Sequence, residues 1–342
     1  MTVIDADAHV VETERTWSYM DGVEDRFRPK RLVNHQGITS ATHWEVDGKP
    51  IFGGPVAVEE TIQAIRELDD IPSRIKHMDE LGTDVHVLYP TIFLRPITDD
   101  PSGEVALCQS YNRWVADAWK QAPERMRWAV VLPLRSMDKA LEELQFGKSN
   151  GACAVFMRGM DVDRVISDPY FFPLYEAAEA LDLPICVHAA TGKFTHHDMF
   201  PSDSGLWRFK IPGIVAFHSL LMQKVPDQFP KLRFGFVELS SQWVPYAVHD
   251  YVRRLEKKGV IVDKSSVLRE NRFVVACQTD DDVEYVLRYA GEDGLMMGTD
   301  YGHADTSSEL EALQRLKDLP GVSSQTANKI LGDNPGRLYG LS

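Results

Sequence analysis

Short and almost wholly apolar segments alternate with amphipathic segments along most of the chain. An apolar run of this length, bounded by turn residues, is typical of a strand that is buried on both faces. Strands of this kind, alternating with amphipathic helices, are typical of a parallel sheet that helices cover on both sides. The eight predicted strands are VIDADAH, VHVLYP, RWAVVLP, ACAVFM, LPICVH, LRFGFVE, RFVVAC and GLMMGT.

Eight strand and helix units within 342 residues predict an α/β fold, a (β/α)8 TIM barrel, as a single domain over residues 1–342. A doubly wound open sheet is the alternative, but no G-x-G-x-x-G motif follows the first strand. A long segment rich in turn formers does follow it, and Asp47-Gly48 within HWEVDGKPIFG suits a two-residue hairpin turn. The segment at about 16–72 is therefore predicted to be an insertion.

Other segments between the strands are interpreted in the same way. SRIKHMDELG is predicted to be a helix that Gly82 closes, and residues 211–228 are predicted to be helical. DYVRRLEKKG is interpreted only as a charged stretch. Helical segments are expected to close the chain.

The formal net charge of −14, the pI near 5.2 and the lack of a run rich in lysine and arginine argue against nucleic acid or an anionic membrane as partner. No apolar segment approaches the roughly 18 residues that span a bilayer, and the start lacks the pattern of a secretory signal. These features predict a cytoplasmic enzyme with a small-molecule substrate. The four cysteines lack C-x-x-C spacing and are predicted to be reduced core thiols, with a disulfide or a nucleophilic thiol as the alternative.

In the first strand, Asp5, Asp7 and His9 fall on one face, and small apolar residues fall on the other. A half-exposed strand would turn its polar face to water. If both faces are buried, the carboxylates need a strong counter-charge such as a metal ion, because an unpaired carboxylate in an apolar interior is costly. The first strand therefore indicates either a solvated face or a metal site.

Ionisable residues also stand at the ends of other predicted strands: His188 at the fifth, Glu238 at the sixth and Asp300 at the eighth. Taken singly, they could be a hydrogen-bonded core histidine, a rim carboxylate and a turn residue. In a barrel, however, the strand ends converge on one rim, where the chemistry of this fold lies. With Asp7 and His9, the residues of the fifth and eighth strands can form a mixed nitrogen and oxygen site for a divalent ion.

Longer stretches of the chain carry a family resemblance. They are IDADAHVVE, RIKHMDELGTDVHVLYPT, PERMRWAVVLPL, DPYFFPLYEAAEALDLPICVHAATG, DQFPKLRFGFVELSSQWVP, MMGTDYGH and KILGDNPGRLYGL. Nearly end to end, the chain resembles the amidohydrolase superfamily, in the amidohydrolase-related (amidohydrolase 2) branch that includes aminocarboxymuconate semialdehyde decarboxylase and the resorcylate-type decarboxylases. The resemblance implies a homodimer in which Asp7, His9 and His188 bind a metal, and Asp300 is a final ligand that exchanges a proton with water.

Two carboxylates leave the expected chemistry open. The decarboxylases of this branch usually place a proton-donating histidine at the end of the sixth strand, where this chain has Glu238. The D-x-H-x-x-E opening, which uncharacterised relatives share, makes Glu12 either a ligand of the same or a second ion, or a solvated loop or cap residue.

Four more residues are candidates, each with a structural alternative. His218 lies within a predicted helix and is either a packing residue or, if that helix begins at the rim, a catalytic residue or ligand. His303 either orients a ligand or substrate or holds a loop. Arg158 and Arg74 could each bind a substrate carboxylate through a bidentate pair, or form a salt bridge within the scaffold.

The first interpretation is a metal-dependent hydrolase that acts on a small carboxylate-bearing or cyclic or aromatic substrate, with Asp300 and Glu238 as acid and base groups. A decarboxylase of an aromatic or unsaturated acid is the second. The third is a dinuclear iron oxygenase, in which Glu12, His218 and Glu238 are extra ligands. An inactive metal-binding subunit is the fourth. Zinc or manganese is the expected ion, and iron is the alternative.

Overall fold

The computed structural model describes residues 2–33, 36–37, 39–54 and 61–341. Eight parallel strands form one sheet, and each strand pairs with the next one along the chain. Parallel neighbours in chain order with helices between them make a nearly closed barrel, so the predicted TIM barrel is confirmed. The strands are Ile4–His9, Val85–Tyr89, Met126–Val131, Ala152–Arg158, Ile185–His188, Phe234–Val237, Phe273–Cys277 and Leu295–Met297.

The first and eighth strands meet just beyond the end of the eighth. His9 N donates to Tyr301 O at 2.7 Å, and Asp300 N donates to Asp7 O at 2.9 Å. A parallel bridge between Ala8 and Tyr301 continues this contact. The barrel therefore closes at the residues predicted to bind a metal.

Helices surround the barrel, and single helical turns lie in its loops. The α-helices are Gln63–Arg66, Ile71–Glu80, Pro101–Trp119, Met137–Ser149, Phe172–Ala180, Phe194–His197, Ile211–Met222, Val225–Gln228, Val244–Glu256, Val267–Glu270, Val283–Ala290, Ala312–Arg315, Ser324–Asn328 and Asn334–Tyr339. Turns of 3-10 helix are Thr16–Tyr19, Gly22–Phe27, Ile92–Leu94, Pro169–Phe171 and Leu316–Asp318, and turns of π-helix are Leu206–Lys210 and Lys329–Asp333. Among the described residues, no helix combines the length and apolarity needed to cross a membrane.

A small antiparallel sheet lies between the first two barrel strands, within the segment predicted to be an insertion. Its strands are Lys30–Val33, Thr39–Val46 and Lys49–Phe52. Asp47 and Gly48 join the last two with φ of 51° and 70°, as a type I′ turn requires. The predicted hairpin is confirmed, whereas residues 34, 35, 38 and 55–60 of the insertion lie outside the described part. A second antiparallel pair, Met160–Asp161 and Arg164–Val165, follows the fourth barrel strand.

Two helical segments differ from expectation. Residues 211–228 form two helices, because Lys224 has a left-handed backbone with φ of 55°. Residues 250–256 of the stretch interpreted only as charged belong to the helix Val244–Glu256, whose buried residues include Val248 and Val252. Its charges occupy the outer face of an amphipathic helix, so the helical period holds although the local composition is polar. All four cysteines are buried and form no disulfide.

The eighth strand approaches the first so closely that only glycine fits at position 298. A Cβ on Gly298 would overlap the Cβ of Asp7 and lie 2.8 Å from Asp7 N. Real side chains do not approach backbone at that distance, so the larger residue would push the first strand outward. Gly298 therefore fixes the position of Asp7.

We expect Gly298→Ala to lower the free energy of unfolding by about 1–3 kcal/mol, as overpacking of a buried contact does. Urea unfolding of purified protein measures this change. Gly82→Ala is the matched control, because its Cβ meets nothing within 4 Å and only the positive φ of 70° is strained. A Gly298→Ala protein as stable as wild type would show that the two strands can separate without cost.

Candidate metal centre

The first strand is buried on both faces, which excludes the half-exposed alternative. Asp5, Asp7 and His9 are 0%, 3% and 0% exposed. Asp5 has its own partners in the eighth strand's loop, where Thr299 donates from N at 2.9 Å and from Oγ1 at 2.5 Å. Burial outweighs these bonds and raises the pKa of Asp5 to about 7. Asp5 therefore has a structural role, because Thr299 is its hydrogen-bond partner. Asp7 and His9 are the residues of this strand that face the site at the strand ends.

Asp7 stands between two histidines. Its Oδ1 lies 3.4 Å from His9 Nε2 and 3.2 Å from His188 Nε2. Burial alone would raise the pKa of Asp7, but His188 and His9 lower it below its usual range. His9 Nδ1 donates to Pro90 O at 3.0 Å, which fixes the ring so that Nε2 faces the centre. Asp7 is therefore ionised beside two imidazole nitrogens.

The spacing of these donor atoms suits a metal ion. Zinc bound tetrahedrally at about 2.0 Å places its ligand atoms about 3.3 Å apart. The separations from Asp7 Oδ1 to the two histidines are 3.4 and 3.2 Å, and His9 Nε2 lies 3.3 Å from Asp300 Oδ1. His9 Nε2 and Asp300 Oδ2 are buried without a hydrogen-bond partner among the described residues. Buried donors of this kind need a counter-ion or another partner.

Asp300 forms a pair with His303, whose Nδ1 lies 2.8 Å from Asp300 Oδ1. The Thr91 hydroxyl donates to Val10 O, so it accepts from His303 Nε2 at 2.9 Å. The remaining His303 nitrogen therefore faces the carboxylate without a proton of its own, and the pair holds one shared proton. Burial, followed by Glu238, raises the pKa of Asp300 well above its usual range. This arrangement suits a group that accepts and releases protons.

Glu238 joins the centre from the sixth strand. Its Oε2 lies 3.4 Å from His188 Nδ1, and its side chain is 9% exposed. Burial, followed by the charges of Asp305 and Asp7, raises the pKa of Glu238 well above its usual range. Glu238 therefore tends to hold a proton beside His188.

Three overlapping groups of donors could each hold an ion among the described residues. They are Asp7, His9, His188 and Glu238; His9, Asp300 and His303; and Glu238, Asp300 and Asp305. Each pair of groups shares one residue, so the donors form a continuous cluster. Each group by itself meets the spacing that an ion requires.

Glu12 is buried but bonded elsewhere. Its Oε1 accepts from Thr91 N and its Oε2 accepts from Ile92 N, each at 3.0 Å. Burial raises the pKa of Glu12 to about 7. The structure thus places Glu12 as a buried partner of the loop after the second strand, and none of the donor groups includes it. It is neither a solvated residue nor a member of the cluster.

The two arginines predicted for substrate binding already have partners. Arg158 donates from Nε to Asp161 at 3.0 Å, and its Nη2 lies 2.5 Å from the same carboxylate. Arg74 is buried and donates to His9 O at 3.2 Å and to His86 Nδ1 at 3.2 Å. Both side chains therefore stabilise the scaffold, which was the alternative for each.

His218 also lies apart from the donor groups. Its Nε2 is 3.0 Å from Asp250 Oδ2, between the helices Ile211–Met222 and Val244–Glu256. None of the donor groups found among the described residues contains it. The structure thus brings His303 to the centre and pairs His218 with a helix carboxylate.

The sequence analysis did not identify Arg95 as a candidate residue. It follows the second strand in YPTIFLR, and its guanidinium lies over the rings of Phe52 and Phe209 at 5.0 and 5.1 Å from their centroids. The available signal was its place in a βα loop, where functional residues of this fold concentrate.

The fold and the centre now allow comparison with known proteins. The family model described as Amidohydrolase matches residues 4–341. The chain belongs to the amidohydrolase family. The family resemblance found in the sequence is therefore confirmed over almost the whole chain.

Solved structures agree with this assignment. One is an amidohydrolase from Mycobacterium avium subsp. paratuberculosis K-10, with 20% identity, 99% of both chains covered and a TM-score of 0.78. Another is 2,6-dihydroxybenzoate decarboxylase from Rhizobium, with 17% identity, 100% and 99% covered and a TM-score of 0.68. A third is a dihydroxybenzoic acid decarboxylase from Polaromonas sp. JS666 with bound manganese and 2-nitroresorcinol, with 17% identity, 99% and 97% covered and a TM-score of 0.68. At these identities the likeness concerns the fold.

We expect Glu12→Ala to lower the free energy of unfolding by about 1–3 kcal/mol, because two buried amides lose their acceptor. Its metal content, measured by elemental analysis, should equal that of wild type. Glu14→Ala is the control, since Glu14 is exposed and pairs with Arg31 at 3.4 Å, and it should change stability by less than about 0.5 kcal/mol. A Glu12→Ala protein that loses metal at unchanged stability would make Glu12 a ligand.

Proposed function

We propose that this amidohydrolase-family protein is a metal-dependent hydrolase that acts on a small carboxylate-bearing or cyclic or aromatic substrate. The observation that carries the proposal is the pair of buried atoms without hydrogen bonds, His9 Nε2 and Asp300 Oδ2, beside an ionised Asp7. A divalent ion satisfies all of them at once. Asp7, His9, His188 and Asp300 would hold it, and zinc or manganese fits this mixture of nitrogen and oxygen donors.

When bound, a divalent ion supplies Lewis-acid chemistry, lowering the pKa of water and polarising a carbonyl oxygen. Asp300 then takes a proton from the attacking water and delivers it to the leaving group. His303 holds Asp300 in place and shares its proton at 2.8 Å, while His9 stacks on His303 at 3.8 Å between ring centroids. Glu238, beside His188, positions water or acts as a second acid.

A decarboxylase is the second candidate, and the fold of the neighbours favours it. The Rhizobium and Polaromonas structures are of decarboxylases of dihydroxybenzoic acids, and the latter contains manganese. Glu238 occupies the place where the resemblance leads one to expect a histidine as proton donor. Its raised pKa would still allow it to donate a proton. Hydrolysis remains the first proposal because Asp300 and His303 already form an acid and base pair.

Elemental analysis tests both candidates, using protein purified without chelator and loaded anaerobically with iron in parallel. About one zinc or manganese per chain supports hydrolysis or decarboxylation, and a screen of amides, lactones and hydroxybenzoates separates them, because only decarboxylation releases carbon dioxide. Two ions with iron among them would move a dinuclear oxygenase to the front, which the overlapping donor groups accommodate. Protein without bound metal would overturn the proposal. A homodimer and a cytoplasmic location stay predictions.

We expect Asp300→Asn to lower turnover by about 100-fold or more on any substrate that the screen identifies, because an amide cannot take the proton. Circular dichroism and the melting temperature should match those of wild type. Asp250→Asn is the control, since Asp250 pairs with His218 on the outer helices, and its turnover should stay within about threefold of wild type. An Asp300→Asn enzyme with full activity would contradict the mechanism for hydrolysis.

A further inference from the structure

A cavity of about 600 Å³ lies between the hairpin of the inserted sheet, the loop after the second barrel strand and the segment 194–209. Three phenyl rings line it, those of Phe52, Phe194 and Phe209. Lys49, Arg95 and Arg208 bring positive charge, and Asp198 is the carboxylate among the described lining residues. We call this space the aromatic chamber. In a protein of net charge −14, a chamber lined by this surplus of cations attracts anions electrostatically.

Two of the three cations are already used. Lys49 Nζ lies 3.3 Å from Asp99 and 4.0 Å from the centroid of Phe194. Arg208 Nη2 donates to Phe200 O at 3.2 Å and to Pro201 O at 2.9 Å. These contacts connect the walls of the chamber. Arg95 is the remaining cation of the three, and its contacts are of a different kind.

The Arg95 guanidinium is held in place without a polar partner. Phe52 and Phe209 contact it at 5.0 and 5.1 Å, which are cation–π distances. Its Nη1 is buried and makes no hydrogen bond to any residue in the described part of the chain. A buried N–H group of a cation without an acceptor is costly.

The charge of Arg95 persists at neutral pH, and the hairpin that carries Phe52 of the chamber reaches the metal centre. Burial lowers the pKa of Arg95 to about 10, and Glu238 opposes this shift. The guanidinium therefore stays protonated at neutral pH. Gly54, two residues beyond Phe52 of the chamber, lies next to the centre, because a Cβ on it would come within 4.0 Å of His303 Nε2.

We infer that Arg95 is the substrate-recognising residue of this enzyme and that the aromatic chamber binds a planar aromatic carboxylate. The planar fork of arginine matches a carboxylate through two parallel hydrogen bonds. The phenyl rings supply flat apolar walls for an aromatic ring. The inference rests on the proposed function for the reaction that follows, but the binding step uses no metal.

Benzoate and benzamide are the probes, because they differ in charge while sharing ring and shape. Isothermal titration of the full-length protein, with and without bound metal, should show benzoate binding about tenfold or more tightly than benzamide in both states. Arg95→Gln should weaken benzoate about tenfold or more and leave benzamide unchanged. Arg95→Lys, which keeps the charge and loses the fork, should give an intermediate loss and serves if Arg95→Gln does not fold.

Arg164→Gln is the matched control, because Arg164 is a surface arginine paired with Asp168 at 3.0 Å, and it should bind benzoate as wild type does. Equal binding of benzoate by wild type and both Arg95 variants would overturn the inference, as would a lack of benzoate binding by wild type. Binding that disappears with the metal and ignores Arg95 would place the carboxylate on the ion and also overturn it. If inorganic phosphate bound as tightly as benzoate, the inference that the chamber recognises an aromatic ring would be wrong. A failure of the proposed function is detected by different measurements, namely the metal content of the protein and the turnover of the Asp300→Asn variant.

Discussion

The burial of the first strand's carboxylates is the constraint on which the rest of the structure depends. Asp5 and Asp7 are taken out of water on a strand that has apolar packing on its other face. Asp5 is satisfied by Thr299, and Asp7 by histidines of the first and fifth strands. Thr299 and His188 come from elements far from the first strand in sequence, so their contacts with the carboxylates also hold the barrel together. Closure of the barrel and assembly of the metal centre are therefore one set of contacts.

The loop after the second strand supports this centre from behind. Pro90 accepts from His9, Thr91 accepts from His303, and the amides of Thr91 and Ile92 bind Glu12. Outer contacts of this kind fix ring orientation and tautomer for groups that bind metals. The same loop continues to Arg95 in the aromatic chamber. A single short segment thus links the orientation of the donors to the recognition of substrate.

The sequence predicted what depends on local pattern and on topology. Apolar strands gave the barrel, Asp47-Gly48 gave the hairpin turn, and strand-end positions selected Asp7, His188 and Asp300. It did not predict pairings that depend on loop conformation. The amides that bind Glu12 become available only when the loop turns at Thr91, and Arg158 meets Asp161, three residues further on, only because the chain bends after the fourth strand. The residues next to Arg95 in sequence do not indicate a binding role for it, because its two aromatic contacts come from distant segments.

Charge balance connects the number of ions to the kind of reaction. Asp7, Glu238 and Asp300 place three carboxylates in one buried cluster, and burial keeps His9 and His303 neutral by lowering the pKa of each. Glu238 and Asp300 also have left-handed backbones, with φ of 60° and 53°, which cost of order 1–3 kcal/mol each and concentrate at functional sites. One divalent ion neutralises two of the three charges, so one carboxyl group keeps a proton and can act as an acid. A second ion would displace that proton, so the number of ions decides whether this carboxyl group starts the reaction as an acid or as a ligand.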